Sequence, residues 1–546
     1  MFMKIFSSVH KTFAFRREME CCRGCGCAGP VVNPSARREG VGGWVLLLPL
    51  AVSLSGCMVG PNYHTPNIGV PDAFYSPGDE SKTTGASDSQ KSRPDIQRWW
   101  ETFNDPELDS LVDRAIKANF DLEIAFARLQ EARAMEAAVA GTALPTAEMS
   151  AGAGKGTGTN LTKGRVSAPL NAATNTTGLN QITQVAGFDA RWELDFFGKY
   201  RREIEAARAN TQAAAEIRND ILITLVADVA RAYIDGSALQ KRLQIALDNV
   251  EIERQTVDVV QKRFTIGLIN ELDLVLAKRQ LAALQSKISP LKSQIDASQR
   301  RLAVLLGEYP EALTSELAVP KPLPQVPVKI ETGLPVDLLR RRPDIREAER
   351  ELAANTALIG ARIADLFPQV SLTAGVGIQG QGPGAAPVNN QFIWSAGPGA
   401  YWPILDFGTL DALIAAQKFR AREVLVNYRK TIISAVEEVD NAIDSYSAEQ
   451  KRLQNLSDVL EASRRAVALA QGRYNRGLTD FLNVTDAERQ LYEIADQFTL
   501  VQEATVLQYI AVYKGMGVGW EDDQTTPAIH QPKPAAMPAL RHLTKG

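Results

Sequence analysis

The chain contains itself twice, and this repetition limits its fold more than any composition figure does. DLEIAFARLQEARAMEAAVAGTALPTAEMSAGAG (Asp121 to Gly154) returns as DIREAERELAANTALIGARIADLFPQVSLTAGVG (Asp344 to Gly377), ungapped, with nine of 34 positions identical at a spacing of 223. QKRFTIGLINELDLVLAKRQL (Gln261 to Leu281) returns as QGRYNRGLTDFLNVTDAERQL (Gln471 to Leu491) at a spacing of 210, with nine identities in 21 positions, and Trp192 and Trp402 share that spacing. The spacing changes between Gly154 and Trp192, inside KGTGTNLTKGRVSAPLNAATNTTG, whose counterpart QGQGPGAAPVNN is shorter. Both stretches are rich in Gly and Asn, as surface connections that accept insertions are. Two tandem structural repeats, 106–309 and 343–520, are therefore expected, differing mainly in one loop.

Each copy reads as helix, strand, loop, strand, long helix, helix. A proline (Pro145, Pro368) ends the first helix and opens the first strand. Strands are predicted at about 146–156, 182–195, 369–380 and 391–405. In the third, Val370, Leu372, Ala374, Val376 and Ile378 alternate with Gln369, Ser371, Thr373, Gly375 and Gly377. The second sets Ala186, Phe188, Ala190, Trp192 and Leu194 against Gly187, Asp189, Arg191, Glu193 and Asp195. In the fourth, Phe392, Trp394, Ala396, Ala400, Trp402 and Ile404 share a face, with Pro398 interrupting as an edge or bend residue does. Strands of about ten residues with one apolar face fit a transmembrane barrel. A soluble sandwich would bury that face, but four strands per chain are too few to close a barrel or build a large core alone. Spanning strands would require several chains to share one barrel.

From Lys199 to Ile266 there is no proline and one glycine, Gly236, so a single helix of roughly 100 Å is expected at about 1.5 Å per residue. Its mixture of Ala, charged and aliphatic residues is that of long helices packed side by side. A second helix follows the turn at Gly267 and runs to Leu306, with a kink expected at Pro290. Copy two repeats the pattern from Thr409 through Gly477 to Met516.

Arg37 and Arg38 precede the apolar run WVLLLPLAVSL (Trp44 to Leu54), too short to span a bilayer and followed by LSGC, Leu54 to Cys57. Residues 1–56 are expected to be an export signal, with a start assigned too far upstream accounting for a leader longer than the usual roughly 15–30 residues. All five cysteines lie at or before Cys57, so the body forms no internal disulfide. CCRGCGC, upstream of the cleavage point, lacks paired zinc-ligand spacing, and no metal site is expected. A formal charge of -3 offers no basic surface for nucleic acid. The four histidines are His10, His64, His530 and His542, so a His- or Cys-based active site is disfavoured; no phosphate-cradling loop opens a helix, and no enzyme is expected.

CMVGPNYHTP, RWWETFNDPELDSLVDRAIKANFDL, WELDFFGKYRREIEAA, LLRRRPDIREAE, FPQVSLTAGVG and GRYNRGLTDFLNVTDAERQL, distributed from Cys57 to about Trp520, resemble the outer membrane factor family. Its members are TolC-like trimeric channels, including the channel lipoproteins of tripartite efflux systems. The resemblance implies a mixed α/β membrane protein: a homotrimer whose chains contribute four strands each to a twelve-stranded outer-membrane barrel, continued by a long periplasmic helical barrel. It implies that LSGC is a lipobox, with N-acyl and S-diacylglycerol lipid on Cys57 as lipid attachment and no other cofactor; Met58 in place of an inner-membrane retention Asp implies delivery to the outer membrane. A lipid-anchored segment would span 57–105, an equatorial connection 310–342, and a disordered tail 521–546. Trp99 and Trp100 would pack in the equatorial belt, and in LRRRPDI Pro343 would start a helix with Asp344 in its first turn.

RFTIGL (Arg263, Gly267) and RYNRGL (Arg473, Gly477) resemble the family's docking turns for a periplasmic adaptor, or membrane fusion protein, which links the channel to an inner-membrane RND transporter. Read as local structure alone, the glycines are helix C-caps and the arginines solvated, a role compatible with docking. Leu482, Asp486, Tyr474 and Asp273 match positions of the family's periplasmic constriction; a ring of carboxylates from three chains would repel itself and attract cations. Thr479 stands where the secretion-type channel carries arginine, and Arg476 is the nearby alternative. The implied function is a passive exit duct for drugs or other small toxic compounds. Metal efflux and type I protein secretion are the alternatives within the family, and an adaptor lipoprotein is a remoter one.

Overall fold

A computed structural model describes residues 58–71, 96–155, 182–327, 335–382 and 389–519. The expected leader, Cys57 and the tail 521–546 lie outside the described residues. The first helices are α1 (Pro106–Ala118) and α2 (Phe120–Thr142), followed by β1 (Thr146–Lys155), β2 (Ile182–Leu194) and α3 (Lys199–Thr265). Next come α4 (Glu271–Ser286), α5 (Ile288–Leu305), α6 (Pro335–Arg341) and α7 (Pro343–Ala364). The chain then continues through β3 (Gln369–Gly382), β4 (Asn389–Tyr401), α8 (Thr409–Asn475) and α9 (Phe481–Gly515). Both α3 and α8 run for 67 residues, about 100 Å each.

Local chemistry sets the element ends. Asp105 caps α1 by accepting from the Glu107 N–H at 3.0 Å, with Pro106 at the first helical position, where a missing N–H costs nothing. Asn119 separates α1 from α2, accepting from the Leu122 N–H at 3.1 Å and donating to the Leu305 carbonyl at 2.9 Å. The kink expected at Pro290 falls instead at Lys287, between α4 and α5. Proline supplies no N–H to the carbonyl one turn before it, so the ladder opens ahead of the ring. The equivalent stretch of the second half, α9, is unbroken for 35 residues.

The strands form one antiparallel sheet in the order β1-β2-β3-β4. Its register aligns Phe188 with Val376 and Met149, Trp192 with Leu372, and Ile378 with Phe392. That apolar face is open to solvent in the single chain: Phe188 is 57% exposed, Phe392 68% and Trp394 71%. Gly375, Gly377 and Gln379 on the other face are buried. This is the reverse of a soluble sheet, in which the apolar face is covered. β4 stops at Tyr401 rather than near 405. Trp402, just beyond it, donates its indole N–H to the Leu366 carbonyl at 3.0 Å, as Trp192 does to Ala143 at 3.1 Å. Each tryptophan thus ties a return strand to the end of the preceding helix.

The largest core lies where α1, the middle of α3, the end of α5 and the end of α9 meet; Trp99 and Trp100 are buried there, with Trp99 stacked on Tyr513. Arg342 pins the start of α7 to α8 and α9, donating to Asp344 at 2.8 Å, Glu438 at 2.8 Å and the Gly515 carbonyl at 2.7 Å. Residues after Pro310 cross the long helices, the Leu317 carbonyl accepting from Gln240 on α3 and the Pro327 carbonyl from Gln450 on α8. Among the described residues no helix is long and apolar enough to cross a membrane.

Candidate functional site

The two turns that join the long helices are built alike. At the first, the Gly267 N–H donates to Phe264 at 2.9 Å and Leu268 to Arg263 at 2.9 Å; at the second, Gly477 donates to Tyr474 at 2.9 Å and Leu478 to Arg473 at 3.0 Å. Both glycines are left-handed, with φ of 74° and 70°, so the predicted caps are present. Asn270 then caps α4 by accepting from the Asp273 N–H at 3.1 Å, whereas Asp480 makes no such side-chain bond at the start of α9.

The arginines differ. Arg263 lies across the ring of Tyr474, 4.9 Å from its centroid, and donates to Asn475 at 3.4 Å. One expected docking residue therefore touches one expected constriction residue. Arg473 is exposed and pairs with no side chain among the described residues. Tyr474 also packs on Phe481, with centroids 5.3 Å apart, beside Val260, Leu274, Ala277 and Val484. Its hydroxyl is buried without a hydrogen-bond partner among the described residues.

Leu482 and Asp486 stand one helical turn apart on α9; Leu482 is 58% exposed. Asp486 accepts from Arg489 at 2.5 Å and from Gln490 at 3.0 Å, both on its own helix. It reaches neither Tyr474 nor Asp273. Burial raises the Asp273 carboxyl above its ordinary value, and repulsion from Asp480 adds to this. Arg476 folds back onto the Gly472 carbonyl at 3.0 Å, and Thr479 accepts from Asn483 at 2.8 Å, so within one chain neither builds an ionic lock. Cys57 lies outside the described residues, but the next residues are held: the Val59 N–H donates to Phe197 at 3.2 Å, and the buried Arg202 donates to Asn62 at 2.7 Å.

Sequence reasoning missed Asn475, Arg489 and a line of carboxyl groups between α3 and α9. Arg489 was legible as a helical neighbour three residues from Asp486. Glu253 was legible too, since its spacing from Val250 and Val260 puts a carboxyl on a buried helix face. Among the described residues no group of three or more His, Cys, Asp or Glu could hold a metal ion.

A profile of the family described as outer membrane efflux protein matches residues 111–308 and 334–518. Nodulation protein T of Rhizobium leguminosarum bv. trifolii is 30% identical over 438 residues, 80% of this chain and 89% of that protein. The cation efflux system protein CusC of Escherichia coli (strain K12) is 30% identical over 482 residues, 87% of this chain and 99% of its own. Among solved structures, the outer-membrane channel OprN superposes with a TM-score of 0.73 at 34% identity, covering 85% of this chain and all of that one.

Proposed function

The chain belongs to the outer membrane efflux protein family and is an efflux channel of the outer membrane, and from that premise we propose that three copies close one twelve-stranded barrel above a shared helical tunnel. The open sheet carries this reading: β1 and β4 each leave an edge unpaired among the described residues, while the apolar side chains point into solvent. A second copy at each edge would pair the free backbone groups, and lipid would cover the apolar face. Phe419, Val426 and Ile433, seven residues apart on α8 and 67%, 56% and 68% exposed, support side-by-side packing of copies along the helices as well.

In this assembly the Gly267 and Gly477 turns face the periplasm and receive an adaptor that links the channel to an inner-membrane RND transporter. Arg473 is the freer donor for the partner's carbonyls. Asp486 from three chains would form an acidic ring, with Leu482 one turn nearer the tip, where like charges oppose closure and attract cations. Tyr474 and Asp273 would support that constriction from behind. Lipid on Cys57 would tether the segment whose Val59 N–H is bonded to Phe197 at the junction of sheet and helix.

We infer a passive duct for drugs or other small toxic compounds, with cargo selected by the transporter. The likeness to CusC favours metal-cation efflux as a second reading. The first test is the mass and single-channel conductance of the acylated protein in mild detergent and planar bilayers, beside Asp486→Ala. A conducting trimer whose variant closes more readily and prefers cations less is the expected result. A monomer without conductance would overturn the shared barrel.

A further inference from the structure

The helices α3 and α9 join the two halves of the chain, and acidic groups are spaced along the seam between them. Nearest the tips are Glu253 and Glu488, with 0% and 1% of their surface exposed. Neither carboxylate oxygen of Glu253 finds a hydrogen-bond partner among the described residues; Glu488 accepts from Gln471 of α8 at 2.7 Å through Oε1, and its Oε2 is unpaired. Further from the tips, Arg242 grips Asp496 with bonds of 2.7 and 3.1 Å. Beyond that bridge Asp235 and Glu503 share a hydrogen bond, one carboxyl to the other. One ion pair is thus flanked by two pairs of neighbouring acidic groups.

No cation acts on the pair nearest the tips. From α9, Glu488 repels Glu253 and Tyr492 lies close to both; α8 brings the neutral Gln471, and α4 brings one buried polar residue, Gln280. At the second pair Arg231 acts on Asp235 and Arg242 on Glu503. Because Glu253 and Glu488 are enclosed within one chain, a neighbouring copy cannot touch either carboxyl. Two buried anions without a cation would repel each other across a medium that solvates neither. A proton on either carboxyl removes one charge and with it the repulsion.

We propose that the α3–α9 seam is a proton-operated joint: a proton carried by the Glu253 and Glu488 pair keeps the two helices together, and its release lets them part. The pair lies about 20 Å from the Gly267 turn, counted along α3, so parting there would loosen the end that carries Leu482 and Asp486. The gating consequence rests on the proposed constriction; the proton itself does not. Burial, then repulsion from Glu488, pushes Glu253 up to about 7, and burial raises Glu488 as well. For carboxyls raised in this way, the folded contact is at full strength below their ordinary value of 4.5 and is lost as pH rises through about 7. The Asp235–Glu503 pair, where Glu503 is likewise raised to about 7, acts in the same direction.

The test uses the full-length protein in detergent and a double variant, Glu253→Gln with Glu488→Gln, in which amides imitate the protonated pair. Two quantities are followed from about pH 5 to about pH 9: the infrared carbonyl band of protonated carboxyls, and the distance between spin labels at Leu247→Cys and Leu500→Cys, exposed sites on α3 and α9. The parent is expected to lose the band with a midpoint near pH 7 while the label distance widens; the double variant lacks that part of the band and widens less, the remainder being the Asp235–Glu503 pair. If the double variant does not fold, Glu253→Gln alone serves, since it leaves the Gln471–Glu488 bond intact. A parent band that the substitution leaves unchanged, or one that titrates while the distance stays fixed, overturns the joint. If both quantities behave as expected and bilayers show no conductance, the joint stands and the channel reading fails.

Discussion

The turns at Gly267 and Gly477 have nearly the same backbone and opposite uses of their arginines. Each closes with the same pair of hydrogen bonds around a left-handed glycine, yet Arg263 is folded over Tyr474 while Arg473 extends into solvent. The reason is the residue that precedes each turn on the helix: Tyr474 offers an aromatic face to the first turn, and the matched Phe264 receives no comparable cation among the described residues. Duplication thus supplied two copies of one turn, and substitution around them separated the two arginines. Arg263 braces the tips against each other; Arg473 pairs with no side chain among the described residues.

Tyr474→Ala should have the largest effect, about 2–3 kcal/mol of local stability, because it removes the packing on Phe481 together with the face under Arg263. Hydrogen exchange at the tips would register the loss, and an equal loss for Arg263→Ala would mean that the cation and not the packing holds them. Next comes docking: Arg473→Ala should weaken binding of the adaptor by about tenfold to a hundredfold, the worth of one hydrogen bond from a charged donor, and Arg263→Ala by less. Calorimetry with the adaptor's hairpin decides this, and equal losses would remove the distinction between the arginines. Gly267→Ala and Gly477→Ala should each cost about 1–2 kcal/mol from backbone strain alone, since a Cβ meets nothing within 4 Å at either site. Unequal midpoints in local unfolding would show that the turns are less alike than their bonds suggest. Smallest of all, Tyr474→Phe should change stability by less than about 0.5 kcal/mol, because the hydroxyl it deletes has no partner among the described residues; a large loss would reveal a partner supplied by a neighbouring copy.

The same division separates what is readable along the chain from what is not. Alternation with period two located β2 and β3 to within about two residues, because it depends only on neighbouring side chains pointing to opposite faces, and the repeat with Pro145 located β1 equally well. The absence of proline located α3 and α8, and glycine with its flanking residues located both turns, since an intrahelical hydrogen bond and a left-handed φ are local demands. β4 was overrun because Trp402 and Ile404 keep the apolar period after the ladder has ended, the indole having turned to the Leu366 carbonyl. Pro290 announced a break but not its place, which depended on the carbonyl left without a donor.

Other features arise between residues hundreds of positions apart. That Arg263 finds Tyr474, that Arg342 reaches Gly515, and that Glu253 faces Glu488 with no cation in reach are consequences of which helix faces meet. Periodicity can place a carboxyl on a buried face; only packing decides whether a positive charge, a second carboxyl or nothing waits there. Coulomb energy and desolvation depend on distance through space and on enclosure, and neither quantity is carried by spacing along a chain.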